Sequence, residues 1–394
     1  MVGQDDNTYD DQSVVKTVDQ LIEAAIDKRA SDIHLEPQES GLRIRLRIDG
    51  ALYDYQVIDQ RIMNQVISRI KVLSHIDIAE KRAPHDGKYT IVYHNRPIDL
   101  RISTFPTTFG EKIVIRILDR TAHMIALEKI GFAQDVLDQF LEVIKKPHGF
   151  ILVTGPTGSG KTTTLYSVLS LLNDPQKNII TLEDPVEYHL EGVTQGHINP
   201  EAGFTFERGM RALLRQDPNI LMVGEIRDQQ TAQIAIEAAL TGHLVLSTLH
   251  TNDAPSAFMR LIDMGIEPFL ITASLTGVVA QRLAKTICVH CRRERKPSVD
   301  EAYLMNRVGL AQDQVIYEGI GCKECDGRGQ KGRIGVFEFL KTTPELKELL
   351  SGQPKYDSMY ARAVEDGMKP LVHDAAQKVK AGTISLAELA RIVC

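Results

Sequence analysis

Apolar and polar positions change rhythm along the chain. From Val14 the period is helical, with Val14, Val18, Leu21, Ile22, Ala25 and Ile26 on one face. Strict alternation follows. Ile44, Leu46 and Ile48 are set against Arg43, Arg45 and Arg47, and Asp49-Gly50 closes the run as a hairpin turn. Ile98, Leu100 and Ile102 alternate with Asp99, Arg101 and Ser103, and Ile113, Ile115 and Ile117 with Lys112, Val114, Arg116 and Leu118. Strands of this kind mixed with helix predict a small α+β domain over 13–120. Residues 1–12 are acidic and polar and are expected to form a disordered tail. No clear period follows residue 120, so 121–140 is read as a linker and hinge.

Beyond it the pattern is different. Phe150–Val153, Ile179–Leu182, Ile220–Val223 and Leu244–Leu246 are short, uniformly apolar runs separated by helical stretches. Strands apolar on both sides must be buried on both faces, which predicts a parallel sheet between helices over 141–286. A Gly- and Cys-rich module covers 287–333, and a mostly helical C-terminal domain is expected over 334–394.

Composition narrows the function. At 394 residues the chain has room for two or three domains of roughly 150 residues. It is 43% hydrophobic and 25% charged, an ordinary globular balance. A net charge of −6, 6% aromatic residues and no Trp argue against a nucleic-acid translocase. The longest apolar stretch, Pro268–Gln281, is too short to span a bilayer and carries Thr272, Ser274 and Thr276. Asp5, Asp6, Asp10 and Asp11 exclude a signal or transit peptide at this N-terminus. A cytoplasmic chain is expected, with any membrane attachment made through partners.

The strongest chemical signal is Gly155-Pro156-Thr157-Gly158-Ser159-Gly160-Lys161-Thr162, the full G-x-x-x-x-G-K-[ST] pattern between a strand and a helix that opens with Thr163. Glycines let backbone N–H groups curl round phosphates, and the helix start adds its positive dipole end. Lys161 is expected on the β- and γ-phosphates and Thr162 on Mg²⁺. Ile220–Val223 ends in Gly224-Glu225, so Glu225 is placed to orient a water or sit near the metal. Glu183 and Glu187 close another apolar strand. They are metal or water assistants, or plain loop carboxylates. His243 and His250 flank a third strand, as γ-phosphate sensors or as structural histidines. Arg208, Arg211, Arg215, Arg227 and Arg260 lie in the same core, and Arg101 and Arg116 lie on strands rigid enough to hold phosphate.

Cys288-x-x-Cys291 and Cys322-x-x-Cys325 read as two knuckles around one tetrahedral ion, with Gly319, Gly321, Gly327 and Gly329 supplying turns. Four thiolates leave no open position, which predicts structural Zn²⁺. The arginines and lysines around the module read as a solvated face, with an anionic lipid surface or a platform protein as the other option. Cys394 is expected to be a free thiol.

Assembled, these residues resemble the secretion ATPases of the type II secretion and type IV pilus-assembly superfamily. Ala30-Ser31-Asp32-Ile33-His34 is similar to the second N-terminal domain of that family. Glu183-Asp184-Pro185-Val186-Glu187 looks like its Asp box, Met222 to Asp228 like its Walker B region, and Thr241 to Asn252 like its His box. The resemblance implies a RecA-like P-loop NTPase core and a Mg-dependent ATPase working as a hexameric ring. It implies Arg101 and Arg116 on the nucleotide phosphates, Glu225 as catalytic carboxylate, Glu183 as its helper near the metal, and Glu187, His243, His250 and Arg227 as assisting groups. It further implies peripheral attachment to the inner membrane through platform proteins. Longer members carry a further N-terminal domain that docks on that platform; here only residues 1–12 precede the second domain. The tetracysteine module disfavours a pilus-retraction motor. Two machines remain, type II secretion and pilus extension, with Phe206 to Arg211 leaning towards secretion. A nucleotide-gated scaffold is the competing class, against which the carboxylates Glu183, Glu187 and Glu225 argue.

Overall fold

The computed structural model describes residues 11–119, 125–352 and 355–393. Residues 1–10 of the expected 1–12 tail, the start of the linker and Cys394 lie outside them; residues 11 and 12 belong to the first helix rather than to a disordered tail. The chain divides into two compact units, Met1–His123 and Met124–Cys394.

In the first unit the order is α1 (Asp11–Asp27), β1 (Ala30–Gln38), β2 (Gly41–Ile48), β3 (Ala51–Ile58), α2 (Gln60–Leu73), β4 (Asp86–Tyr93), β5 (Arg96–Thr107) and β6 (Gly110–Asp119). The strands form one six-stranded sheet in the order β3-β2-β1-β6-β5-β4. Every pairing in it is antiparallel. Alternation decides which side faces inward. Ile33, Leu35, Ile44, Leu46, Leu100, Ile113 and Ile115 join the α1 residues Val18 and Leu21 and the α2 residues Val66 and Ile70 in a single core. The charged residues between them are left on the other face. Asp49-Gly50 makes the expected hairpin, with Ile48 opposite Ala51.

The second unit begins with a 3₁₀ turn, Leu127–Lys129, and α3 (Gln134–Ile144), so the last part of the segment read as linker is helical. Next come β7 (Gly149–Thr154), α4 (Lys161–Leu172), β8 (Ile179–Glu183), β9 (Thr194–His197), α5 (Phe206–Leu213), β10 (Ile220–Val223), α6 (Gln229–Leu240), β11 (Leu244–Leu249), α7 (Ala254–Asp263), α8 (Pro268–Ser274) and β12 (Leu275–Ile287). The rest is β13 (Arg292–Arg295), α9 (Val299–Arg307), β14 (Ile316–Gly319), β15 (Gln330–Lys341), α10 (Pro344–Ser351), α11 (Tyr356–Glu365), α12 (Leu371–Lys380) and α13 (Leu386–Val393).

Seven strands form the main sheet, ordered β15-β12-β7-β11-β10-β8-β9. From β12 to β9 it is parallel, and β15 is an antiparallel edge. Along β7 successive residues serve opposite cores: Phe150 and Leu152 join α6, α7 and α8, while Ile151 and Val153 join α3 and α4. Burial on both faces is why these runs are almost wholly apolar; the one polar residue in them, Thr181, is buried with its hydroxyl bonded to Glu183. The tail is mostly helical, as expected, but it opens on a strand. β15 runs beside β12 from Lys341 opposite Gly277 to Gln330 opposite Ile287, and four helices follow.

Candidate functional site

The phosphate-loop sequence occupies the turn between β7 and α4. Gly158 and Gly160 have φ of 78° and 88°, a left-handed backbone that glycine adopts without strain. Gly160 also stands at the N-cap of α4, so the loop feeds straight into a helix start. The Lys161 ammonium donates to the carbonyls of Gly155 at 2.8 Å and Pro156 at 3.2 Å, curling back over the loop. Burial pulls its pKa below the ordinary lysine value, while Glu225 opposes the shift. The Lys161 charge is thus half-desolvated, and an anion in the loop would restore what it has lost.

Parallel register sets which other side chains share this edge of the sheet. Leu249 of β11 is opposite Thr154 of β7, and Val223 of β10 is opposite Ser247 of β11. Residues just after β10 and β11 therefore flank the loop after β7, the crevice at the strand C-termini where open α/β sheets bind ligands. Glu225 and His250 are these residues. The Glu225 carboxylate, about one-fifth exposed, pairs with Arg227 and lies 3.5 Å from His250 Nε2. Thr248 Oγ1 holds the Gly224 carbonyl at 2.8 Å and Ser247 Oγ the Val223 carbonyl at 2.7 Å, fixing the strand end that presents Glu225.

Other candidates are placed differently. His243 precedes β11, at the opposite end of that strand from His250. Its Nδ1 is 2.9 Å from the Ala238 carbonyl at the end of α6, so the structure does not bring it to the phosphate loop. Glu183 ends β8 on the correct edge but is 3% exposed. Its carboxylate accepts from Tyr166 Oη, from Thr181 Oγ1 at 2.6 Å and from Gln195 Nε2 at 3.1 Å. Glu187 is exposed, its backbone N–H 3.4 Å from Tyr166 Oη. Tyr166, Thr181 and Gln195 went unnoticed in the sequence because only their shared partner singles them out.

In the first unit, Arg101 of β5 and Arg116 of β6 are directly opposite, and Lys88 of β4 is opposite Arg101. Like charges paired across strands are unfavourable unless an anion is near. Arg116 Nε meets Asp32 Oδ1 at 3.2 Å, so the Asp of the Ser31-Asp32-Ile33-His34 run holds this arginine. A cavity of about 530 Å³ opens on the same face, lined by Lys88, Arg101, Arg116, Asp86 and Ser103 among others.

Cys288, Cys291, Cys322 and Cys325 converge. All four Sγ atoms lie within 4.8 Å of one another. Cys288 to Cys322 and Cys291 to Cys325 are 3.8 Å, and Cys322 to Cys325 is 3.7 Å. A tetrahedron with metal–sulfur bonds of about 2.3 Å has edges of about 3.8 Å. The quartet therefore fits a metal ion with no free coordination position. Backbone N–H groups of Gly329, at 3.2 Å, and Cys322, at 3.3 Å, donate to Cys325 Sγ and help fix it in place.

Comparison with known proteins gives the family and the fold. The sequence pattern of type II/IV secretion system proteins matches residues 7–391. The chain belongs to that family. It is 46% identical over 389 residues to the type IV pilus assembly ATPase PilB of Thermus thermophilus, covering 98% of this chain and 43% of the relative. It is 44% identical over 385 residues to the type II secretion system ATPase E of Vibrio cholerae, covering 97% of this chain and 76% of the relative. Among solved structures, the pilus retraction motor PilT with bound ADP is similar at a TM-score of 0.64 and 26% identity, covering 95% of this chain and 96% of that one. The Legionella pneumophila ATPase DotB shares the fold at a TM-score of 0.72 and 22% identity, covering 96% and 95%. The α/β core of the family member described here is that ATPase fold. None of its helices, among the described residues, is long and apolar enough to cross a membrane.

Proposed function

We propose that this family member is an ATP-hydrolysing motor subunit that drives pilin or pseudopilin assembly, in type II secretion or in pilus extension. The observation that carries the reading is the meeting of the phosphate loop with Glu225 at one edge of the parallel sheet. ATP phosphates lie on the loop N–H groups and Lys161, and Thr162 holds Mg²⁺, which supplies charge neutralisation when bound. Glu225 orients the attacking water and takes up its proton, and His250 and Arg227 hold that carboxylate in place. Arg101 and Arg116 add positive charge for the transferred phosphoryl group. Glu183, whose carboxylate is occupied by Tyr166, Thr181 and Gln195, acts by fixing the end of β8, and the exposed Glu187 is the Asp-box acid left open to solvent. The cysteine quartet holds Zn²⁺ as a structural ion.

Relatives from both machines are about equally similar, so the choice between secretion and pilus extension follows the weak lean of Phe206 to Arg211 towards secretion. The family resemblance supports a hexameric ring attached peripherally to the inner membrane through platform proteins. A nucleotide-gated scaffold needs no water-orienting acid, and the Glu225 arrangement disfavours it. The test compares Mg-ATP turnover and ADP binding in wild type, Lys161→Ala and Glu225→Gln. Lys161→Ala is expected to lose binding. Glu225→Gln is expected to keep binding and lose turnover by about 10²–10⁴-fold. Full turnover in either variant overturns the assignment, and tight binding without turnover in wild type supports the scaffold.

A further inference from the structure

β12 is apolar where it passes β7: Val278, Val279 and Ala280 are fully buried. Gln281 interrupts the run and is itself 2% exposed. A buried amide is costly unless both its ends are paired. Both are, and both partners belong to the phosphate loop and its helix. Gln281 Nε2 donates to the Ser159 carbonyl at 2.8 Å, and Gln281 Oε1 accepts from Thr164 Oγ1 at 2.7 Å. Ser159 and Thr164 bracket Gly160, Lys161 and Thr162.

We infer that Gln281 is the positioning residue that sets the phosphate loop for nucleotide. The C=O and N–H of a trans peptide point in opposite directions. Tying the Ser159 carbonyl to β12 therefore aims the Gly160 N–H away from β12. The second bond fixes the first turn of α4, which carries Lys161 and Thr162. Backbone contact reinforces the clamp. A Cβ on Gly155 would come within 2.5 Å of the Gln281 carbonyl, and one on Gly160 within 2.9 Å of Gln281 Nε2, so the loop packs directly on the strand. β12 is itself held. Ala280 pairs with Thr154, and Arg282 donates to the Asn252 carbonyl at 2.8 Å, two residues beyond His250. One short piece of strand thus references both the phosphate loop and the His250 turn to the same frame. Gln281 touches no reacting atom in this arrangement; it acts through Ser159 and Thr164.

This inference rests on the proposed nucleotide site, and the two fail separately. In Gln281→Met the volume is kept and both hydrogen bonds are lost. The loop N–H groups hold phosphates in the ground state and in the transition state alike. Their misplacement therefore weakens binding more than chemistry. KM for ATP and Kd for ADP are expected to rise about tenfold, with a smaller change in kcat. Thr164→Val removes one of the two bonds at nearly constant shape and is expected to raise Kd severalfold, which keeps the test open if Gln281→Met fails to fold. Hydrogen exchange and melting establish that each variant is folded at the assay temperature. A lower melting temperature with unchanged Kd for ADP, or a fall in kcat with KM unchanged, overturns the positioning role. If Lys161→Ala itself retains ADP binding, the nucleotide site is misplaced and the failure is of that reading.

Discussion

Glu338 shows how one side chain in β15 sets a pH dependence. It is 2% exposed. Its two oxygens accept from the backbone N–H of Ala254 at 2.8 Å and of Leu371 at 3.1 Å, the first residues of α7 and α12. Burial pushes its carboxyl up to about 7, Asp253 adds to the shift, and the two N–H groups and Arg282 oppose it. A carboxyl whose pKa is higher folded than unfolded stabilises the folded chain at low pH. That contribution is full below the unfolded value of 4.5 and is lost as pH rises through about 7. The amount at stake is about 3 kcal/mol. Melting wild type and Glu338→Gln at pH 5 and pH 8 isolates it, because the amide does not titrate. Wild type is expected to lose more stability between the two pH values than the variant, and parallel losses would remove Glu338 as the cause. Lys161 shows the opposite sign of the same physics. Burial disfavours its charge, so Lys161 gains from an anionic partner.

Elements were legible where their signal is local. Alternation around Ile44 and Ile115 marked half-buried strands, and apolar runs such as Ile220–Val223 marked doubly buried ones, because each period depends only on neighbours along the chain. The phosphate loop was legible because its chemistry needs contiguous residues. What escaped depends on partners far away in sequence. β15 straddles the boundary between the Gly- and Cys-rich module and the mostly helical tail, and only its pairing with β12 marks it as a strand. The buried Lys71–Glu111 ion pair, 2.8 Å from Nζ to Oε1, joins α2 to β6 with no sequence signature. His243 and His250 flank the same strand, and only the direction of β11 relative to β7 separates them. Gln281 carried a usable signal, a single amide in an apolar run, but its meaning lies in what it touches. The cysteine module combines both cases: knuckle spacing gave the ligands, and the Sγ geometry closes them into one site. Its coupling to local structure is testable. β13 and β14 form a separate two-stranded sheet, and Gly329, just before β15, donates to Cys325 Sγ. Removing the ion with a chelator is expected to release one metal per chain and speed amide exchange across 287–333, while β7, β10 and β11 stay protected. Exchange that rises equally in those core strands would mean the module supports the whole second unit.

At the scale of the whole molecule, activity is expected to depend on assembly. The first unit presents Lys88, Arg101 and Arg116 as a row across three adjacent strands, with Asp32 beside Arg116. The second unit presents a phosphate loop, Glu225 and His250. Under the function proposed above, each set would supply half of what phosphoryl transfer needs: the loop to bind nucleotide and Glu225 to direct water, the arginines to neutralise the charge that develops on the transferred group. If the competent arrangement of these halves exists only in a closed ring, turnover per chain becomes a function of concentration, since association stabilises that arrangement by mass action. Specific Mg-ATPase activity is expected to climb with protein concentration and then level off, with the rise coinciding with the loss of monomer in analytical ultracentrifugation. A second measurement separates a cooperative ring from independent subunits that happen to associate. Lys161→Ala chains keep every arginine and the whole second-unit sheet, so on the proposed reading they are expected to enter the ring without holding nucleotide. Mixed with wild type at constant total concentration, they are expected to depress turnover by more than their share of the chains, because each poisoned subunit also stalls its neighbours. A strictly proportional fall would show that each chain works alone, and the concentration series would then be flat as well.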